Sequence, residues 1–154
     1  MATEQDWASY RGAVVDVTPP GRDPFRITPA APGVHGRWPF SSTAAVHVLT
    51  AWNPDSVRLD RDVNEARNGR LVAELEARGL TWWPASGRDL AGDHAEDGVA
   101  VFGLSEPEAL AAGRDHGQAA IYRWTPEAWQ VVACTGERRH ASGWRTGPVP
   151  APPG

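Results

Sequence analysis

The sequence has no lysine and only one cysteine. All 15 basic residues are arginine, so Schiff-base chemistry and phosphate binding by a P-loop lysine are both excluded. Cys134 has no partner for an internal disulfide, which favours a reducing compartment. No apolar run approaches the roughly 20 residues that a membrane helix needs, and no secretory signal is visible. These absences predict a cytoplasmic protein that does not cross a membrane.

Patterns typical of nucleic-acid, metal and cofactor sites are also missing. The formal net charge is −4, whereas a nucleic-acid footprint normally needs a basic face. Eight tryptophans could stack on bases, which leaves RNA binding as a third, weaker hypothesis. The acidic segment at residues 92–97 (GDHAED) could hold a cation, but such loop residues are usually solvated. We therefore predict no metal and no cofactor, and we expect no nucleic-acid partner.

Composition divides the chain into three parts. The 154 residues suit a single domain of ordinary size. Residues 1–43 are rich in proline and glycine, and they predict an extension with only short or edge strands. Residues 44–136 contain the apolar patterns of a folded α+β core. Residues 137–154 have little apolar content and predict a poorly packed tail.

The core segment predicts the element order β-α-β-β-α-β-β. Apolar runs predict strands at residues 43–52, 80–85, 99–104, 119–124 and 128–134. One amphipathic helix is predicted from about Asp60 to Arg78, and a capping-box pattern at Ser105 predicts the start of another. This order is typical of a ferredoxin-like split β-α-β-β-α-β arrangement with an added C-terminal strand. We therefore predict an antiparallel sheet with two helices on one face.

Two asparagines share the core-facing stripe of the first predicted helix. At about 100° per residue, Asn64 and Asn68 fall with Leu71 and Leu75 in an arc of roughly 60°. A buried amide without a partner costs about 1–3 kcal/mol, so both side chains need hydrogen bonds. Either they bond to backbone in the preceding turn or at a strand end, or this end of the helix lines a pocket. Both alternatives stay open.

Other polar residues near the predicted strand ends could converge on the same place. The predicted ligand-binding residues are Asn53, Asn64, Arg67, Asn68, Gln118 and Tyr122. Glu96, which precedes the third core strand, is the first candidate for general acid or base catalysis, and His116 is the second. Arg67 could pair with Glu96 or bind an anion. Cys134 is predicted to be structural.

Several stretches, taken together, resemble one protein family. They are TAWNP, NEARNGRL, RGLTWWPASG, HAEDGVAVFGL and EALAAGRDHGQAAIYRW, in this order between about residues 46 and 134. This combination resembles the bacterial family catalogued as domain of unknown function 3293. The resemblance implies that the family pattern includes Thr50, Asn53, Pro54, Asn64, Asn68, Gly87, Glu96, Gln118 and Tyr122. It implies no activity or ligand.

The sequence supports two main hypotheses for function. The first is a pocket, binding or enzymatic, in which amides and a carboxylate recognise a small polar molecule. The alternative is a protein-interaction or regulatory module that works through an open sheet face. A partner protein or a second copy of the chain, forming a homodimer, would cover that face. Whether the protein is an enzyme stays open.

Overall fold

The computed structural model describes residues 2–89 and 94–151 of the chain. The strands within these residues are β1 (Val14–Val17), β2 (Phe25–Ala30), β3 (Val46–Thr50), β4 (Trp82–Arg88), β5 (Ala95–Phe102), β6 (Ala120–Trp124), β7 (Trp129–Ala133) and β8 (Arg139–Pro148). The α-helices are α1 (Glu4–Gly12), α2 (Arg61–Ala77) and α3 (Glu106–Asp115), and a short 3₁₀ turn spans Pro54–Ser56. Among the described residues, no helix has the length and apolar character to span a membrane.

The eight strands close into an antiparallel barrel. Their order around the barrel is β1-β2-β8-β7-β6-β3-β5-β4, and β4 pairs with β1 to complete the ring. Each neighbouring pair is antiparallel. Closure removes the unpaired edges that an open sheet would leave.

The predicted open ferredoxin-like sheet with two helices on one face is therefore wrong. The elements predicted between residues 43 and 134 do occur in the predicted order, as β3, α2, β4, β5, α3, β6 and β7. Closure comes from the two terminal segments of the chain. The N-terminal segment supplies β1, which pairs with β4, and β2, which pairs with β8. The C-terminal segment supplies β8, which also pairs with β7 and so covers the last free edge.

Helices α2 and α3 pack on the outside of the barrel. Because side chains alternate along a strand, Leu49 of β3 and Val99 of β5 point outward while their neighbours point inward. Leu71 and Leu75 of α2, with Leu110 of α3, bury these outward residues. Ser105 caps α3 in the predicted capping box with Glu108.

One end of the barrel interior is filled by aromatic rings. We call this group the aromatic cluster; its members are Phe25, Trp38, Phe40, Trp83, Phe102, Trp124 and Trp144. Trp38 and Phe40 enter from the segment between β2 and β3, and the other rings come from strands. Trp124 lies at the centre, only 1% exposed, and its ring contacts four others. The cluster forms a packed hydrophobic core.

Helix α1 lies against the opposite end of the barrel. Trp7 is buried among Val131, Ala133 and Tyr122. The guanidinium of Arg138 lies 4.3 Å from the Trp7 ring centroid and forms an ion pair with Glu4 at 2.6 Å. These contacts hold α1 over the barrel end that the aromatic cluster does not fill.

Candidate functional site

The end of the barrel beneath α1 contains a cavity of about 200 Å³, room for about seven water molecules at their liquid volume. We call it the barrel-mouth cavity. Its polar lining residues are Ser9, Tyr10, Thr50, Arg88, Asp89, His94, Glu96, Gln118 and Tyr122. Its apolar and glycine lining includes Val48, Ala85, Gly87, Gly98, Ala120 and Val131. The cavity thus joins an apolar wall to convergent polar groups, as ligand sites commonly do.

The cavity exists because small residues occupy inward positions of β4 and β5. Gly87 pairs with Glu96, so both residues face the same side of the sheet. A Cβ added at Gly87 would meet nothing within 4 Å, so the space beside it is open. Gly98 has a different role, because a Cβ there would lie 2.2 Å from the Leu49 carbonyl oxygen. Gly98 therefore allows the close approach of β3 and β5.

Glu96 is one of the carboxylates in this polar lining. Its Oε2 lies 3.3 Å from Nε2 of His94, and Nδ1 of His94 lies 3.4 Å from a guanidinium nitrogen of Arg58. Burial raises the pKa of the Glu96 carboxyl above its ordinary value, although His94 and Arg58 act in the opposite direction. Glu96 is therefore a partly desolvated carboxylate that His94 holds in place.

Two tyrosines border the cavity between the barrel and α1. The Tyr122 hydroxyl donates to the backbone oxygen of Tyr10 at 3.3 Å, and the Tyr122 ring stacks on Trp129 at 5.0 Å. Burial, with smaller effects of Tyr10 and Glu96, raises the pKa of Tyr122. Burial also raises the pKa of Tyr10, while a hydrogen bond with Ser56 lowers it. Both phenols therefore stay protonated at neutral pH and can act as hydrogen-bond donors.

Asn53 and Asn64 hold the connection between β3 and α2. The Asn64 amide accepts from the Asn53 backbone N–H at 2.9 Å and donates to the Asn53 side chain at 2.8 Å. Asn64 also donates to the Leu59 carbonyl, and Asn53 accepts from the Leu59 N–H. These bonds fix a turn in which Asn53, Asp55 and Ser56 all have positive φ. The Asn64 amide and the side-chain oxygen of Asn53 are thus hydrogen-bonded within this turn without a ligand.

Arg67, Gln118 and His116 meet on the outer side of the same connection. Arg67 donates to the carbonyls of Ala51 and His116. The Gln118 amide donates to the carbonyls of Trp52 and His116, and Gln118 also lines the barrel-mouth cavity. The buried His116 ring contacts Glu74 of α2 at 2.8 Å and does not line the cavity.

Asn68 lies at a second depression, on the outer surface of the barrel. The depression is lined by α2, β1, β4 and β5, and Ser86 also contributes to it. Within the described part of the chain, the buried Asn68 Oδ1 and Ser86 Oγ have no hydrogen-bond partner. Asn68 is therefore separated by the barrel wall from Glu96.

Of the predicted site residues, the structure brings Glu96, Gln118 and Tyr122 together at one cavity. Asn53, Asn64, Arg67, Asn68 and His116 lie elsewhere. Sequence reasoning missed Tyr10 and Arg58 as neighbours of the cavity, and it considered His94 only as a metal ligand. Asp93, from the same acidic segment, lies outside the described residues.

The single cysteine does not line the barrel-mouth cavity. Cys134 is buried, and burial raises the pKa of its thiol to about 11. A protonated, buried thiol is a poor nucleophile. Its Sγ would lie 2.6 Å from a Cβ added at Gly113 of α3, so it helps to set how closely α3 approaches the barrel.

Comparison with family models identifies part of the chain. Residues 49–121 match the model described as "Protein of unknown function (DUF3293)". This segment is similar to the DUF3293 family. The matched DUF3293 segment runs from β3 into β6 and includes Glu96 and Gln118, while Tyr122 follows its last residue. Searches of curated proteins and of solved structures gave no match.

Proposed function

We propose that the barrel-mouth cavity binds a small molecule, with Glu96, Gln118 and Tyr122 among its contacts. The observation that carries this proposal is the missing side chain at Gly87, which leaves open space directly opposite Glu96. Protein interiors are normally packed to crystal-like density, so such a space beside polar groups suits a ligand.

Glu96 is also the group best suited to proton transfer if the bound molecule is a substrate. Its raised pKa, caused by burial, brings it closer to neutral pH than an exposed glutamate. His94 contacts one oxygen of the Glu96 carboxylate, and Glu96 lines the cavity. His116 is not part of the proposed site, because its ring contacts Glu74 on the outer helical layer.

The alternative hypothesis, an interaction module, depended on an open sheet face. In a closed barrel the corresponding face is the interior, which the aromatic cluster and the cavity occupy. The small-molecule hypothesis therefore has the better support.

The test is a fragment screen by ligand-observed NMR on three proteins. These are the unmodified chain, Gly87→Leu, which places a side chain in the cavity, and Gly147→Leu as the matched control. Gly147 is also a strand glycine with nothing within 4 Å of an added Cβ, but it does not line the cavity.

We expect a set of fragments that bind the unmodified chain and Gly147→Leu but not Gly87→Leu. Their binding should also perturb the side-chain resonances of Tyr122. If every fragment that binds does so equally well to Gly87→Leu, the cavity is not the binding site and the proposal is refuted.

A further inference from the structure

The hydrogen bonds of His94 determine which of its nitrogens carries the proton. The guanidinium of Arg58 can only donate, so Nδ1 of His94 must accept. In the neutral ring the proton then lies on Nε2, which faces Glu96 at 3.3 Å. If Nδ1 carried the proton, its N–H and the guanidinium N–H of Arg58 would both be donors, and no hydrogen bond could form between them. His94 therefore presents the N–H of Nε2 to the Glu96 carboxylate.

The arginines near the cavity interact with residues other than Glu96. Arg88 forms an ion pair with Asp16 at 3.2 Å, and Asp16 is also bonded by Arg26. Arg58 is exposed and lies beyond the His94 ring, so solvent screens its charge. Within residues 2–89 and 94–151, no arginine forms an ion pair with Glu96. A second carboxylate, Asp89, also lines the cavity.

The rest of the lining suits an apolar body attached to a cation. Val48, Ala85 and Val131 form an apolar wall, and the rings of Tyr10 and Tyr122 border the same space. Tyrosine rings attract cations through their negative faces, and a partly desolvated carboxylate is stabilised by a positive partner. The volume of about 200 Å³ limits the ligand to a compact molecule.

We propose that the ligand of the barrel-mouth cavity is a compact organic amine, whose ammonium group contacts Glu96 and whose apolar part lies against Val48 and Val131. This inference rests on the proposed function, because it requires that the cavity binds a small molecule. It adds the charge of the ligand and the residue that recognises that charge.

The test compares three probes of nearly equal shape and different charge. Benzylamine is a cation at neutral pH, benzyl alcohol is neutral and benzoate is an anion. Their affinities are measured by NMR titration or calorimetry against the unmodified chain, Glu96→Gln, and Glu137→Gln. Glu137 is an exposed glutamate that does not line the cavity, so its variant controls for the change in net charge.

We expect benzylamine to bind about 10-fold to 100-fold more tightly than benzyl alcohol, since hydrogen bonds to charged groups are the stronger ones. Glu96→Gln should remove this preference without weakening benzyl alcohol, and Glu137→Gln should retain it. The alcohol control also shows whether Glu96→Gln has preserved the cavity.

The outcomes separate the two proposals. Equal or tighter binding of benzyl alcohol or benzoate at the cavity overturns the amine assignment but leaves small-molecule binding standing. An amine preference that survives in Glu96→Gln overturns the role of Glu96. If none of the three probes binds, the amine assignment fails, while the Gly87→Leu screen still decides whether the cavity binds other molecules.

Discussion

The two ends of the barrel are built from the same strands but are filled in opposite ways. At one end the aromatic cluster brings ring centroids to between 4.7 and 6.1 Å of one another. At the other end glycine, alanine and polar residues leave a cavity of about 200 Å³. The comparison teaches that the packed core and the proposed binding site can lie at different ends of one barrel. The packed end supplies the core, so the hollow end is free to carry polar groups.

Removing the central ring of the packed end should have the largest effect. Trp124→Ala deletes a side chain that is only 1% exposed and contacts four other rings. We expect the free energy of unfolding, measured with urea, to fall by about 3–5 kcal/mol. Tyr10→Ala, at the hollow end, should cost only about 1–2 kcal/mol, because it is a half-buried ring beside existing space. Equal losses of unfolding free energy in the two variants would contradict the conclusion that the packed end supplies the core.

His47 extends the comparison, because it is a buried titratable group that does not line the barrel-mouth cavity. It lies on the outward side of β3, only 1% exposed, and no described residue bonds to its ring nitrogens. Burial lowers its pKa to about 4, assisted by Arg123 and opposed by Glu106.

The sign of the pH dependence follows from this shift. The unfolded chain binds this proton near pH 6.5, the ordinary pKa of histidine, whereas the folded chain does so only near pH 4. Stability from this group is therefore complete above pH 6.5 and falls as the pH drops towards 4, by up to about 3 kcal/mol. Urea unfolding of His47→Leu across this range should show a smaller loss. An identical pH profile would mean that other groups cause the acid sensitivity.

The smallest changes in stability are expected at two glycines, Gly87 and Gly98, that both line the hollow end. Gly98→Ala places a Cβ 2.2 Å from the Leu49 carbonyl oxygen, which should cost about 1–3 kcal/mol through backbone shifts. Gly87→Ala meets nothing within 4 Å and should be neutral or slightly stabilising. Thermal unfolding of both variants tests this difference. Comparable destabilisation at Gly87 would show that the space beside it is not open.

The local elements of the central segment were predictable because their patterns are strong. The capping box at Ser105 and the inward stripe of Leu71 and Leu75 are encoded within a few residues. Closure was not predictable in this way. β8 contains glycines and polar residues, and it is held by backbone pairing with β2 and β7 rather than by an apolar pattern of its own.

The candidate site shows the same limit. Asn64 is buried, as its helix position indicates, but its partners are in the turn that precedes α2. Glu96, Gln118 and Tyr122 reach one cavity because the barrel closes and α1 covers its end. The contribution of Tyr10 depends on the packing of Trp7, which no local pattern reveals. Three of the residues predicted from sequence patterns line one cavity, but the patterns did not predict the cavity itself.

The position of β8 has a consequence for how the chain is made. It is synthesised after the seven other strands, yet it is the strand that pairs with both β2 and β7 and so closes the barrel. Until it emerges from the ribosome, a nascent chain carries two strand edges whose amide and carbonyl groups have no neighbour. Such edges pair readily with other chains, so this protein should depend on chaperones during translation and should aggregate when residues 139–148 are deleted.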